Sequence, residues 1–472
     1  MKLRTTIALA VAALLGALAL RSLWSARSGP PNVLLITIDT LRADHLHCYG
    51  QALPTSPNID AFAARSVVFE RAIAASGYTG PSHSSIMTGR YPRRHSSGFS
   101  NGLLVLSGVE TLAETLRLRG YDTAAFVSNA VLGARSGLNR GFDVYDDQFD
   151  SVEANRSNVY ERRAPQTLER ALAWLARPRT KPFFLWVHFQ DPHGPYTAPA
   201  PYGDQFHLPV SAGEPELPVL DDDSGQGGIP RYQVVDGQRR VSEYRSRYAG
   251  EIAFMDRSVG ELLAAVERYS PTVVALTGDH GESFGEGGFY FAHGHSAAPD
   301  LSHVPFILRA PGLRPERRAD SVSHVDLMPT ILELAAVPAP AGMEGIALGP
   351  VLRADAPIPP RAVFCDIGYE VGTYGADEFQ LSATPEEKTW TLQAFYQRGE
   401  AAQAGAVAGA ERLTVAHTYR WDGGPTWTAA DPEPELAQRL ASYLAGDTLV
   451  GQALPLSSAD RERLRSLGYQ AP

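Results

Sequence analysis

The sequence predicts an α/β fold with a mostly parallel central sheet and helices on both faces, followed by a smaller α+β domain. Two patterns carry that expectation. Continuous apolar runs alternate with amphipathic stretches at a steady pitch from residue 31 to about 336, as strand–helix units of a parallel sheet do. After about Pro350 the pattern changes to short strands and turns. Composition agrees: 44% hydrophobic and 20% charged residues are those of a globular chain, and Gly 43 with Pro 35 call for long, well-punctuated loops. A net charge of −10 with no basic tract after the leader excludes a nucleic-acid binder that works by neutralising phosphates. Two cysteines, Cys48 and Cys365, make no disulfide framework; the choice is between a single bridge and two buried thiols, and buried thiols are favoured.

Taken in order, residues 1–28 carry Lys2, Arg4, Arg21 and Arg27 around the uncharged run Ile7–Leu20, a secretory signal peptide or an uncleaved signal-anchor. The expected location is periplasmic or extracytoplasmic, with inner-membrane anchoring if the leader is kept. Pro31–Asp39 (PNVLLITID) is apolar throughout between Pro and Asp, as a buried parallel strand is. Ile59–Phe69 reads as a helix and a short strand. Glu110–Gly120 has helical spacing with a glycine stop and leads into strand Thr123–Val127. Arg162–Ala176 is an amphipathic helix before strand Pro182–Phe189. Tyr248–Tyr269 is helical and precedes strand Thr272–Thr277 (TVVALT). Val304–Arg309 and the helix Asp326–Ala336 close the series. Residues 200–240 read as a long loop. Strands at Ala362–Asp366, Thr389–Tyr396 and Leu413–Arg420 and helices near Pro434–Ala445 and Ser458–Leu467 fill the C-terminal part. The expected domains are therefore 1–28, 29–350 and 351–472.

The chemistry gathers at strand ends and one helix start. Asp39 ends the first strand, and Asp279–His280 end TVVALT; ligands of open α/β sheets lie beyond the carboxyl ends of strands. Two carboxylates and an imidazole there offer oxygen and nitrogen donors to a divalent cation, or else the aspartates cap turns. In Thr79-Gly80-Pro81-Ser82-His83, Pro81 suits a first helical turn and Ser82–Thr88 the helix, so Thr79 stands just before a helix N-terminus. There it is either an ordinary cap or a hydroxyl at an anion site.

Blocks PNVLLITIDTLRADHLHCYG, YTGPSHSSIMTGRYP, PFFLWVHFQDPHGPY, LTGDHGESFGE and SHVPFILRAPG, in that order, resemble the sulfatase-like family of the alkaline-phosphatase superfamily across roughly residues 31–350. The resemblance implies a metal-dependent ester hydrolase. It implies Asp39, Asp279, His280 and Thr79 as ligands of one divalent ion (Mn, Ca, Mg or Zn), with Thr79 at the nucleophile position. It further implies His193, and His293 or His295, as leaving-group histidines, and His83 and Asn101 as substrate contacts. His188 reads as a core histidine, Cys48 as core, and Glu282 and Glu286 as either acids supporting the site or solvated turn residues, the latter being favoured.

Three departures from the family pattern matter. Thr79 stands where sulfatases have the cysteine or serine converted to formylglycine, and His83 where they have an arginine, so no formylglycine is expected. Thr40 replaces the second Asp of a pair. The lysines that grip sulfate are missing, and only Lys2, Lys181 and Lys388 exist. A threonine nucleophile shifts the expected substrate towards phosphate or phosphonate esters, sulfate remaining open, carried by a small molecule, glycan or lipid. The alternatives are a transferase passing the threonine-bound group to an envelope lipid or glycan, and a non-catalytic binding module keeping the fold.

Overall fold

The computed structural model describes residues 29–95, 104–106, 108–149, 151–359 and 361–367, and in the C-terminal part 370–374, 378–383, 414–421, 427–430, 442–443 and 452–453. The leader, Asn101, Thr389–Tyr396, the helix at Ser458–Leu467 and most of that at Pro434–Ala445 lie outside the described residues. Among the described residues no helix is long and apolar enough to cross a membrane.

Eight strands build the central sheet: β1 (Asn32–Ile38), β2 (Val67–Ile73), β3 (Asp122–Phe126), β4 (Val144–Asp146), β5 (Phe183–Phe189), β6 (Thr272–Gly278), β7 (His303–Arg309) and β8 (Glu316–Ser323). Their order is β8-β2-β7-β6-β1-β5-β3-β4. Only β7 runs against the others, pairing antiparallel with β2 and β6. The expected mostly parallel sheet is thus the observed one.

Strand β1 shows why its sequence is apolar without alternation. Val33 and Leu35 enter one core with Ile86, Leu112 and Ile331, whereas Leu34, Ile36 and Ile38 enter the opposite core with Phe62, Leu168 and Leu262. The first core takes helices α2 (Thr79–Thr88), α3 (Leu112–Leu118) and α6 (Leu327–Leu334); the second takes α1 (Pro57–Ala63), α4 (Ala164–Leu175) and α5 (Val241–Glu267). All five β1 side chains are fully buried, each contributing roughly 1.5–3 kcal/mol of apolar transfer.

Several elements differ from expectation. Strand β8 (ERRADSVS) is an edge strand, and edges tolerate the charges that hid it from an apolar-run reading. Helix α5 starts at Val241, seven residues before the expected Tyr248, where Glu243 accepts from the backbone N–H of Arg240 at 2.8 Å. A hairpin of Ser151–Glu153 with Arg156–Glu161 was not expected. The 200–240 loop packs onto the body, burying Leu217, Ile229, Tyr232 and Gln233. Cys365 is buried as expected, but Cys48 is only half-buried; the two form no disulfide.

Beyond residue 362, β9 (Val363–Asp366), β10 (Glu370–Tyr374), β11 (Glu378–Ala383), β12 (Thr414–Trp421) and β13 (Trp427–Ala430) form an antiparallel five-stranded sheet in sequential order. It meets the α/β body where Asp366 N–H donates to the Ala75 carbonyl at 2.9 Å.

Candidate active site

Strand register builds the site. Ile38 lies level with Phe189 and Gly278, so β1, β5 and β6 end together. The amide of Asp39 donates to the Phe189 carbonyl at 3.0 Å, and the amide of Asp279 to the Ile38 carbonyl at 3.1 Å. These bonds set Asp39 and Asp279 side by side at the carboxyl edge. Thr40 then turns the chain with φ +53°, an uncommon conformation for a β-branched residue, and its amide donates to Asp279 Oδ1 at 3.0 Å.

Asp39, Asp279 and His280 each present one ligand atom within 4.8 Å of the others, and all three residues are fully buried. Asp39 Oδ1 and Asp279 Oδ2 have no hydrogen-bond partner. Buried carboxylate oxygens left unpaired are costly, and two of them facing a histidine nitrogen make a donor set that fits a divalent cation. The other carboxylate oxygens are occupied: Asp39 Oδ2 accepts from Asn129 Nδ2 at 3.0 Å, and Asp279 Oδ1 from the His280 amide at 2.7 Å.

Charge tells the same story. Burial pushes Asp39 up, but His188, His193 and His280 outweigh it and hold this carboxyl well below its usual range. Burial, and then the charge of Asp39, lift Asp279 well above. Without a cation, two carboxylates in one dry site cannot both ionise readily.

Thr79 is the first residue of α2, not the residue before it, and the cap position is Tyr78. The helix thus starts three residues earlier than the sequence reading placed it. Thr79 makes no cap; its Oγ1 lies 3.2 Å from His280 Nε2. His280 Nδ1 donates to the Gly281 carbonyl at 2.9 Å, which leaves Nε2 with its lone pair facing the site. Burial lowers the His280 pKa to about 4, so the ring is neutral.

His83 sits behind this group. Its Nδ1 bonds the Thr79 carbonyl at 2.8 Å and lies 3.7 Å from Asp279 Oδ2, and its Nε2 meets Thr37 Oγ1 at 2.9 Å. Both nitrogens therefore have protein partners. His188, expected as a core histidine, is a site residue instead. Its Nε2 has no hydrogen-bond partner, lies 3.7 Å from Asp39 Oδ2, and forms a second potential ligand trio with His83 and Asp279. Its place one residue before the end of β5, beside the end of β1, was the available signal.

His293 and His193 join the group; His295 does not. The His293 ring lies 4.6 Å from that of His280 and 5.3 Å from that of His193. His193 donates Nδ1–H to the Gly194 carbonyl at 2.7 Å and stacks on Tyr232, which the 200–240 loop delivers. His295 stacks on Phe289 at 3.8 Å, with Nε2 3.1 Å from Ser283 Oγ. Burial keeps His293 near 4 and His295 near 3, and lowers His193 as well. Glu282, expected as a solvated turn residue, is fully buried, with burial pushing it up to about 7. Glu286 pairs with Arg42 at 2.9 Å. Asn129, Tyr196 and Tyr232 carry no sequence signal because the contacts that bring them to the site, with Asp39, Glu282 and His193, are long-range.

Comparisons with known proteins bear on this geometry. A profile described as Sulfatase matches residues 31–337. The chain is 26% identical over 357 residues to a Delta 4,5-hexuronate-2-O-sulfatase of Bacteroides thetaiotaomicron, spanning 69% of this chain and 72% of that protein. It is 28% identical to the iduronate 2-sulfatase of Homo sapiens, over 60% of each chain. The solved phosphonate monoester hydrolase of Agrobacterium radiobacter shares the fold with a TM-score of 0.60 at 20% identity, over 74% of this chain and 87% of that one. That of Silicibacter pomeroyi also reaches 0.60 at 20%, over 82% and 99%. With more than half of its length matched, and with the fold of that group, the chain belongs to the sulfatase family, the ester hydrolases of the alkaline-phosphatase superfamily.

Proposed function

We propose that this enzyme hydrolyses phosphate, phosphonate or sulfate esters through Thr79, without formylglycine. One observation carries the reading: the Thr79 hydroxyl, 3.2 Å from His280 Nε2, stands beside two unpartnered buried carboxylate oxygens at the joined ends of β1 and β6. Asp39, Asp279, His280 and Thr79 would hold one divalent ion. When bound, such an ion lowers the pKa of a neighbouring hydroxyl and draws charge from the ester oxygens. Thr79 releases its hydroxyl proton to solvent, its Oγ attacks the phosphorus or sulfur, and the bond to the leaving oxygen breaks with its electron pair. His193 and His293 flank that oxygen; an anionic ester beside them favours the protonated imidazole, which then supplies the proton. Water finally displaces Thr79 from the threonine ester.

Relatives named as sulfatases of hexuronate and iduronate, and neighbours named as phosphonate monoester hydrolases, support small-molecule or glycan esters as substrates. Phosphoryl esters are favoured, because a threonine ester must be displaced by water whereas a formylglycine diol can release sulfate by elimination.

The test is a panel of aryl phosphate mono- and diesters, phosphonates and sulfates, assayed with Mn²⁺, Ca²⁺, Mg²⁺ and Zn²⁺. Thr79→Ala is expected to lower turnover by about 10³-fold or more. Mass spectrometry of the trapped intermediate should find the label on Thr79, in protein made without a formylglycine-generating enzyme. Label on another residue, or full activity of Thr79→Ala, overturns the reading.

A further inference from the structure

We propose that Glu282 is a positioning residue that holds the His293 imidazole by Nδ1 and so makes His293, not His295, the group that hands a proton to the leaving oxygen. The inference rests on the ester-hydrolase reading above.

Glu282 Oε1 lies 3.0 Å from His293 Nδ1, and Glu282 Oε2 accepts from the Tyr196 hydroxyl at 3.1 Å. Its backbone carbonyl accepts from Arg42 Nη1 at 2.9 Å, so the residue is fixed at both ends. Glycine precedes it for a steric reason: a Cβ on Gly281 would stand 2.0 Å from the Asp300 carbonyl oxygen. A fully buried carboxylate needs partners to offset its lost hydration. Glu282 is not among the convergent carboxylates Asp39 and Asp279, so a bound cation does not account for it. Its partners are a histidine and a tyrosine.

The consequence is directional. With Nδ1 committed to Glu282, Nε2 is the nitrogen left for a substrate, on a ring that adjoins both His280 and His193. His295 has no such arrangement: its Nε2 meets Ser283 and its ring covers Phe289. In the cleavage step the bond between the transferred group and the leaving oxygen breaks with its electron pair on that oxygen. The oxygen takes the proton from Nε2 of the His293 imidazolium. Nδ1 keeps its proton in the bond to Glu282, and the ring ends as neutral imidazole. A carboxylate on Nδ1 fixes the orientation of the ring, as the buried aspartate does in a Ser-His-Asp triad.

The experiment compares two leaving groups, phenolate and 4-nitrophenolate, on the best ester type. Proton donation matters for the poor leaving group and little for the good one. Glu282→Gln is expected to lower kcat/KM for the phenyl ester by about 10- to 100-fold and for the 4-nitrophenyl ester by less than about threefold. His293→Ala should show the same pattern more strongly, and His295→Ala a smaller loss than His293→Ala. Calorimetric titration with Mn²⁺ should give wild type and Glu282→Gln the same affinity within about twofold. Equal losses on both esters, or a matching loss of Mn²⁺ affinity, would overturn the proposal. Long-range ¹H–¹⁵N spectra of ¹⁵N-histidine protein, assigned with His293→Ala, read the ring directly. Wild type should show His293 protonated at Nδ1, and Glu282→Ala should lose that signature. Should wild type cleave none of the esters, the hydrolase reading fails, while an unchanged His293 signature in Glu282→Ala refutes the positioning role by itself.

Discussion

Burial sets the protonation of individual residues in this fold more than surface pairing does. Glu161, on the hairpin strand Arg156–Glu161, is 8% exposed, and burial together with Asp191 and Glu153 pushes its pKa up to about 8, against the pull of Arg163 and Arg156. The sign follows from the proton count. A native pKa above the unfolded value of about 4.5 means the folded state holds more protons between those two values, so its stability falls as pH rises through that window. Glu161→Gln removes the effect. Between pH 6 and pH 8 at fixed metal concentration, urea midpoints of wild type should fall further than those of Glu161→Gln, by on the order of 2 kcal/mol. Buried histidines act in the opposite direction. Burial lowers His45 to about 4 and His324 to about 3, so their stabilisation is complete above about 6.5 and fades as pH drops towards those values.

Elements, by comparison, are placed by close backbone approach. Gly278 ends β6 immediately before Asp279, and a Cβ there would stand 2.5 Å from the Leu41 carbonyl oxygen. The two strand-end loops can lie against each other only because this position has no side chain. Gly278→Ala should push residues 40–41 away, lengthening the Thr40 N–H to Asp279 bond. We expect a loss of about 1–3 kcal/mol in denaturant unfolding and a weaker calorimetric Mn²⁺ titration, both from one methyl group. An unchanged metal affinity would mean that the Thr40–Asp279 contact does not shape the site.

At the scale of the whole molecule, a buried ion pair helps to tie the α/β body to the antiparallel sheet. Arg93 Nε lies 2.7 Å from Asp366 Oδ2, which also accepts from the Tyr443 hydroxyl at 2.8 Å. Arg93 follows α2, the helix that carries Thr79, and Asp366 ends β9. Removing one partner of a buried pair leaves the other charge uncompensated, at a cost of about 3–5 kcal/mol. Arg93→Met should therefore lower the unfolding midpoint accordingly and open the region after residue 362 to limited proteolysis. Proteolysis patterns identical to wild type would show that the sheet is held without this pair.

Much of this was legible in the sequence, because a parallel sheet buried on both faces writes itself as uninterrupted apolar runs. β1, β5 and β6 stand out for that reason, and the same pattern singles out the residues just past the ends of β1 and β6, Asp39 and Asp279–His280. Their position relative to a strand end is a local property. The edge strand β8 stayed hidden because charged residues satisfy an edge. The start of α5 stayed hidden because residues 241–247 bury polar side chains. Convergence of side chains was legible for Asp39 and Asp279–His280, which strand ends bring together, but not for the residues around them. His188 looked like one more buried residue of PFFLWVHF, Glu282 looked like a turn residue of GDHGESFGE, and the choice between His293 and His295 was open. The first two are placed by register and packing between segments far apart in the chain: His188 by the joint ending of β1 and β5, and Glu282 by Tyr196 and His293 packed against it. The sequence by itself determined which residues stand at strand ends, since apolar patterning and turn chemistry act over a few neighbours. Only the tertiary structure decided which of their side chains meet, since a hydrogen bond at 3 Å depends on the folding of the whole sheet.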